Sequence, residues 1–202
     1  PHIVDLARTP LMLSAICLVY YYEGGQLPDD RVKLYQMCVE GLLFNWDDRR
    51  GIQSEFSLRE QVRACRNLAL VMQNEDRAES DEAEVLDVFT KALGDAERAS
   101  DLLAHARRRA GLLVERRAGV FAFAHLTFQE YLAALGVYEG NDLGVGVDDV
   151  LAECGDERWS EVIPLLCGIV PAARAREILD ALIALDPEHT PGAVILEALL
   201  GA

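Results

Sequence analysis

Apolar residues along the chain recur mostly at three- and four-residue spacing, the pattern of helices with one buried face. Residues Pro1 to Arg8 read as the end of a helix already under way. Thr9-Pro10 restarts one, with Thr9 as N-cap and Pro10 at the first helical position, where a missing N–H costs nothing. That helix continues through Leu11 to Tyr22 and stops at Glu23-Gly24-Gly25. Leu27-Pro28-Asp29-Asp30 opens the next, with Val32, Tyr35, Val39, Leu42, Leu43 and Trp46 on one face. The run Asp47-Asp48-Arg49-Arg50-Gly51 is polar, and a domain boundary is expected there.

Beyond the boundary, Ser57-Leu58-Arg59-Glu60 spells a capping box. The helix it opens is expected to run to Gln73, with Leu58, Val62, Cys65, Leu68, Ala69 and Met72 buried. Asn74 to Ser80 reads as a charged loop. A helix over Asp81 to Leu93 buries Val85, Leu86, Phe89 and Leu93, and a third runs from about Ala99 to Ala110. The period then changes. Leu112 to Arg116 and Val120 to Ala124 read as two strands, joined at Arg117-Ala118-Gly119. A lone hairpin is marginal in water, so it must pack on the helices. Three helices followed by a hairpin make a winged helix.

The strand runs directly into another helical pattern: Phe128, Tyr131, Leu132 and Leu135. Thr127 to Glu130 has the spacing of a second capping box, which leaves His125 in the joint between strand and helix. Free N–H groups and the positive end of the helix dipole gather at such a joint, and an imidazole there could hold a phosphate. Protonation would be expected to strengthen that contact. The alternative is a packing histidine that caps the helix. After the loop Gly140 to Gly146, short helices are expected over Asp148–Glu153, Glu157–Val170, Ala173–Leu185 and Thr190–Leu200. Trp159, Val162, Ile163, Leu166 and Leu182 are core candidates, with Pro164 early in its helix. The fold class is mainly α: a helical domain over 1–50, a winged helix with one small β-hairpin over 51–140, and further helices over 141–202.

Composition narrows the function classes. The chain has 202 residues, of which 51% are apolar, and a net charge of −15. A surface so acidic repels nucleic acid and anionic membrane, and no apolar run is long enough to span a bilayer. Arginines 107, 108, 109, 116 and 117 cluster near the hairpin, but no base-reading Asn/Gln series accompanies them, so pairing with nearby acids is expected rather than DNA binding. Five cysteines without a CxxC spacing are expected to be reduced core thiols of a cytoplasmic protein. The four histidines lack a metal spacing, and no nucleophile elbow occurs. The chain has no Gly-Lys pair, hence no phosphate-binding loop and no catalytic machinery of its own. It opens at Pro1 rather than Met, and we expect it to be a piece of a longer protein.

The stretch Phe123-Ala124-His125-Leu126-Thr127-Phe128-Gln129-Glu130-Tyr131-Leu132-Ala133-Ala134 resembles the motif that ends the winged-helix domain of NACHT-type NTPases, the class that includes NOD-like receptors and bacterial defence proteins. Leu6-Ala7-Arg8-Thr9-Pro10-Leu11-Met12-Leu13, with Leu27-Pro28, Arg31 and Leu34-Tyr35, resembles the end of the first helical domain of the same class. The resemblance implies a regulatory segment lacking the NTPase core. It implies that His125 contacts the β-phosphate of bound ADP, and that Pro10, beside Thr9, packs near the adenine. ADP or ATP would be the cofactor, with magnesium supplied by the missing core, and the parent would be an ATPase. Partners would be the intramolecular NTPase core, further copies on activation, and an effector of unknown kind, with no nucleic acid and no membrane. Control of opening and oligomerisation in innate immune or antiphage defence is the implied role. A helical protein-interaction domain with no nucleotide role is the alternative.

Overall fold

A computed structural model describes residues 9–45, 55–108 and 111–185. The expected helix end over 1–8, Trp46, the boundary at 47–51 and the last helix over 190–200 lie outside the described residues. Helix α1 (Pro10–Tyr22) starts as its sequence dictates, with the Thr9 hydroxyl accepting from the Met12 N–H at 3.3 Å. α2 (Arg31–Glu40) is capped by Asp30 and runs into a single π-turn (Gly41–Asn45). Nothing in the sequence marked that turn. α1 packs against α2 and the π-turn.

The winged helix follows. Ser57 and Glu60 form the reciprocal box at the head of α3 (Leu58–Asn74). α3 is buried more widely than a stripe, taking in Gln61, Asn67 and Gln73. Ser80, expected in the loop, and Asp81, expected to open the helix, form a short strand β1, and Asp81 then caps α4 (Glu82–Leu93). Helix α5 (Ala96–Arg108) begins three residues before the expected Ala99, because the Asp95 carboxylate accepts from the Arg98 N–H at 3.0 Å. Strands β2 (Leu113–Arg117) and β3 (Val120–Phe123) form the hairpin, and its turn places Gly119 at φ 72°, where glycine is favoured. β1 pairs antiparallel with the other side of β3, so the sheet order is β1-β3-β2. Helix, strand, two helices, then a hairpin closing on that strand is the winged-helix arrangement.

Helix α6 (Leu126–Glu139) is the centre of the molecule. It packs on α3 along one side and on α8 (Val162–Ile169) along another, and it also touches α2. Apolar residues therefore surround it rather than line one face. Gly136 lets it approach α3 closely: a Cβ there would lie 3.4 Å from the Arg66 carbonyl oxygen. Short α7 (Val147–Ala152), a 3-10 turn (Glu157–Trp159) and α9 (Ala172–Leu185) are the remaining described elements. Trp159, Val162, Ile163, Leu166 and Leu182 are all buried. Pro164 falls at the third position of α8, where its missing N–H is tolerated.

A polar thread runs through this core. Buried Gln129 of α6 donates to Gln73 Oε1 at 3.1 Å and to the Arg77 carbonyl at 3.0 Å. Gln73 in turn donates to the Arg158 carbonyl, and the Arg158 guanidinium returns to the Asn74 carbonyl at 2.5 Å. Satisfied buried polar groups of this kind fix one packing arrangement. They tie the helices after Gly140 to the end of α3.

Candidate functional site at the head of helix α6

The last ladder residue of β3 is Phe123, yet the Ala124 N–H still donates to the Leu112 carbonyl at 2.8 Å. The chain stays extended through His125, at φ −146° and ψ 141°, and turns helical at Leu126. His125 is thus the N-cap. Its Nδ1 accepts from the Thr127 N–H at 3.3 Å, and its carbonyl accepts from the Phe128 N–H at 3.1 Å. The capping box expected at Thr127 and Glu130 does not form. The helix opens two residues earlier than that box requires, so Thr127 lies inside the first turn and is buried.

This geometry assigns the imidazole tautomer. An Nδ1 that accepts a hydrogen bond leaves the proton on Nε2. Half-burial lowers the His125 pKa below its ordinary value, which favours the same neutral form. Among the described residues no hydrogen bond engages Nε2. What the site offers a ligand is one neutral N–H donor beside an exposed Leu126, with the first N–H groups of α6 largely engaged. Protonation would place a second donor against the Thr127 N–H and break the cap. The cap and the lowered pKa both favour a neutral imidazole, whereas the sequence suggested that a protonated one would bind phosphate more strongly.

Thr9 and Pro10 lie elsewhere. Thr9 caps α1, and Pro10 is exposed, its carbonyl accepting from the Ser14 hydroxyl at 2.7 Å. Among the described residues, no hydrogen bond or ring contact joins either of them to His125.

Behind the cap, one turn into α6, Glu130 belongs to a cluster that the sequence did not reveal. It faces α2 and the residue that precedes α8. Arg31 of α2 donates to Glu161 at 2.9 Å and to the Tyr35 hydroxyl at 3.2 Å. The Arg31 guanidinium also lies over the Tyr35 ring, 5.5 Å from its centre, and Tyr35 packs against Tyr131 of α6. Burial, then the negative charge of Glu161, push the Glu130 carboxyl up to about 7, and the cation of Arg31 only partly offsets them. Two carboxylates compete here for one guanidinium, and the geometry gives it to Glu161. The only sequence signal was a glutamate on the inner face of an apolar helix.

Near the hairpin, Arg107 pairs with both Glu82 and Glu115 and lies over the Phe121 ring. Arg117 pairs with Glu79 at 2.8 Å. Arg109 lies outside the described residues. Cys38, Cys65 and Cys167 are buried, and burial pushes the first two thiols up to about 12, so they are inert. Cys17 departs from the expected core thiol and is exposed on α1. Among the described residues, no group of His, Cys, Asp and Glu could hold a metal ion, and no helix is long and apolar enough to cross a membrane.

The elements and their order define a winged-helix module set between helical segments. Residues 31–137 match the family described as the winged helix-turn-helix domain C-terminal to NACHT, and the chain belongs to that family. The matched span opens on α2 and closes within α6, so it contains Arg31, Tyr35, His125 and Glu130. The NACHT association makes this a regulatory module whose expected intramolecular partner is an NTPase domain. No curated protein matches the chain.

Proposed function

We propose that the chain reads the nucleotide state of a preceding NACHT NTPase core, and that His125 is the reading residue. In the closed form the neutral Nε2–H donates to a phosphate oxygen of ADP held by that core. This chain contributes one donor rather than a cradle, because it has no phosphate-binding loop. The remaining phosphate contacts, the magnesium ion and any ATP hydrolysis belong to the core. Exchange of ADP for ATP moves the acceptor, the contact is lost, and the winged helix and its neighbours swing away. Oligomerisation of the opened protein and signalling to an effector follow, in a defence role. Pro10 and Thr9 would act near the adenine only by holding the head of α1. The observation that carries the reading is the His125 cap, which leaves Nε2–H without a partner among the described residues at the head of α6, in a domain that follows NACHT.

The test separates capping from ligand contact. Asn caps a helix at least as well as His, but its short side chain has no donor at the Nε2 position. In the intact protein, His125→Asn is expected to keep the melting temperature within a degree or two and to release ADP faster. His125→Ala is expected to lose both, with a stability cost of about 1 kcal/mol. ADP retention by His125→Asn equal to that of the unmodified protein would sink the nucleotide reading and leave a helical protein-interaction domain. The sign of the pH effect is a further check. The histidine is neutral in the competent form, so ADP retention should fall as pH drops below the ordinary histidine range of about 6.5, whereas a charge-assisted contact would tighten there.

A further inference from the structure

Helices α2, α6 and α8 border an open groove of about 400 Å3 whose lining does not include His125. Its floor is apolar and partly exposed, with Val32 of α2 and Leu135 and Tyr138 of α6; Tyr138 is 43% exposed. Its rim is acidic. Asp30, Glu40 and Glu139 line it; Glu139 is paired with Arg66 of α3, and Lys33 is the single cation among the lining residues. The Lys33 ammonium is turned to Gln36 Oε1 at 3.1 Å, and Gln36 itself donates to Glu40. At the bottom sits Tyr131, only 4% exposed, whose hydroxyl makes no hydrogen bond among the described residues. A phenol oxygen without a hydrogen-bond partner, in a groove that also carries the Asp30 and Glu40 carboxylates, can accept from a cation that those carboxylates attract.

We propose that this groove seats a basic amphipathic helix of a protein partner. Its apolar side chains lie on Val32, Leu135 and Tyr138, and a lysine or arginine reaches between Asp30 and Glu40 to donate to the Tyr131 oxygen. Charge decides the occupant. A neutral or acidic helix would bury the Asp30 and Glu40 carboxylates without a counter-charge, which is costly. A second copy is disfavoured for the same reason, because each chain carries a net charge of −15. A bare inorganic cation would leave the apolar floor unused. The proposal is independent of the nucleotide reading, and neither one's failure implies the other's.

The test is fluorescence anisotropy on the full chain with labelled helical peptides of leucine and alanine whose flanks carry lysine, glutamine or glutamate. The lysine peptide is expected to bind, and the glutamine and glutamate peptides about tenfold more weakly or not at all. The double variant Asp30→Asn, Glu40→Gln removes two rim charges yet keeps the N-cap and the Gln36 contact. It should weaken the lysine peptide about tenfold. Tyr138→Ala, at a position outside the core, should weaken it as well. Glu97→Gln with Asp101→Asn, which neutralises two exposed positions on α5, should leave affinity within about twofold. Any of four results would overturn the proposal. These are no binding of the lysine peptide at about 1 mM, equal binding of the glutamine peptide, and equal weakening by the α5 pair, which would mean diffuse attraction. The fourth is a concentration-dependent dimer abolished by the rim variant, which would assign the groove to self-association.

Discussion

Glu130→Gln should make this protein more stable at neutral pH and leave it nearly unchanged near pH 4.5. The carboxyl is displaced from an ordinary 4.5 to about 7, with burial the largest cause and the Glu161 charge the next. At about 1.4 kcal/mol per tenfold change in proton affinity, an ionised Glu130 costs the fold up to about 3 kcal/mol. Its partial exposure makes about 2 kcal/mol the more realistic figure. The sign follows from linkage. The folded-state pKa is raised, so the contribution of the protonated group is fully present below about 4.5 and is lost as pH rises through about 7. Glutamine imitates the protonated form at every pH. The charged and titratable groups around it are Arg31 and Tyr35 on α2 and Glu161 ahead of α8, and the substitution leaves all three in place.

The assay is thermal or urea unfolding of both proteins from pH 4.5 to pH 8.5. For a chain of this size each kcal/mol moves the midpoint by about 2–4 °C, so at pH 8 the variant should melt about 4–8 °C higher. Near pH 4.5 the two curves should converge. A gain of equal size at both ends would mean that the effect is packing rather than charge. Destabilisation at pH 8 would mean that the Glu130 carboxylate has a partner worth more than its burial costs, and would refute the reasoning outright.

Three further outcomes follow from packing and surface charge. Gly136→Ala should be neutral or stabilising by up to about 1 kcal/mol, because helix propensity improves and the added Cβ meets Arg66 O and Leu70 at ordinary contact distances; Gly136→Leu should cost about 3 kcal/mol by forcing α6 off α3, and equal melting temperatures for the two would contradict the close crossing. Trp159→Ala should cost about 3–5 kcal/mol in urea unfolding, since Trp159 is fully buried and its Nε1 donates to Glu153 at 3.2 Å. Arg107→Ala should lower the melting temperature by a few degrees at low salt and by less at high salt, because Arg107 joins α4, α5 and the hairpin through exposed ion pairs; a salt-independent loss would assign the effect to its stacking on Phe121 instead.

The two capping boxes show what sequence can and cannot decide. Ser57-x-x-Glu60 and Thr127-x-x-Glu130 carry the same signature, yet only the first forms. Ser57 follows Glu55 and Phe56, which pair with no strand, so its local chemistry is free to set the helix start. Thr127 follows a strand held by its ladder, and the pairing of β3 with β2 fixes where the chain can turn. The helix then starts at Leu126, and a histidine takes the cap. β1 escaped notice for a related reason: two residues among charged neighbours become a strand only because β3 offers them an edge. The helices of the winged helix, its hairpin and the buried aliphatic positions were legible because their period is local. Glu130 was not, since its burial comes from α2 and the segment before α8, residues about a hundred and thirty positions apart in the chain.

Those distant contacts bear on how a nucleotide signal could leave α6. α6 is locked to α3 by the Gly136 crossing and by the Gln73–Gln129 thread, so these two helices should move as one body. The seam toward α2 and α8 is of another kind. There one arginine serves two carboxylates, and the loser, Glu130, is held away from water at an electrostatic cost. Separating α2 from α6 would rehydrate Glu130 and remove that cost, whereas separating α3 from α6 would strand two buried amides. On the proposed reading, opening at the Arg31–Glu161–Glu130 seam, one turn from His125, would recover the burial cost of Glu130. In the intact protein, Glu130→Gln should accordingly favour the closed form and slow ADP release at neutral pH, opposite to the effect of His125→Asn.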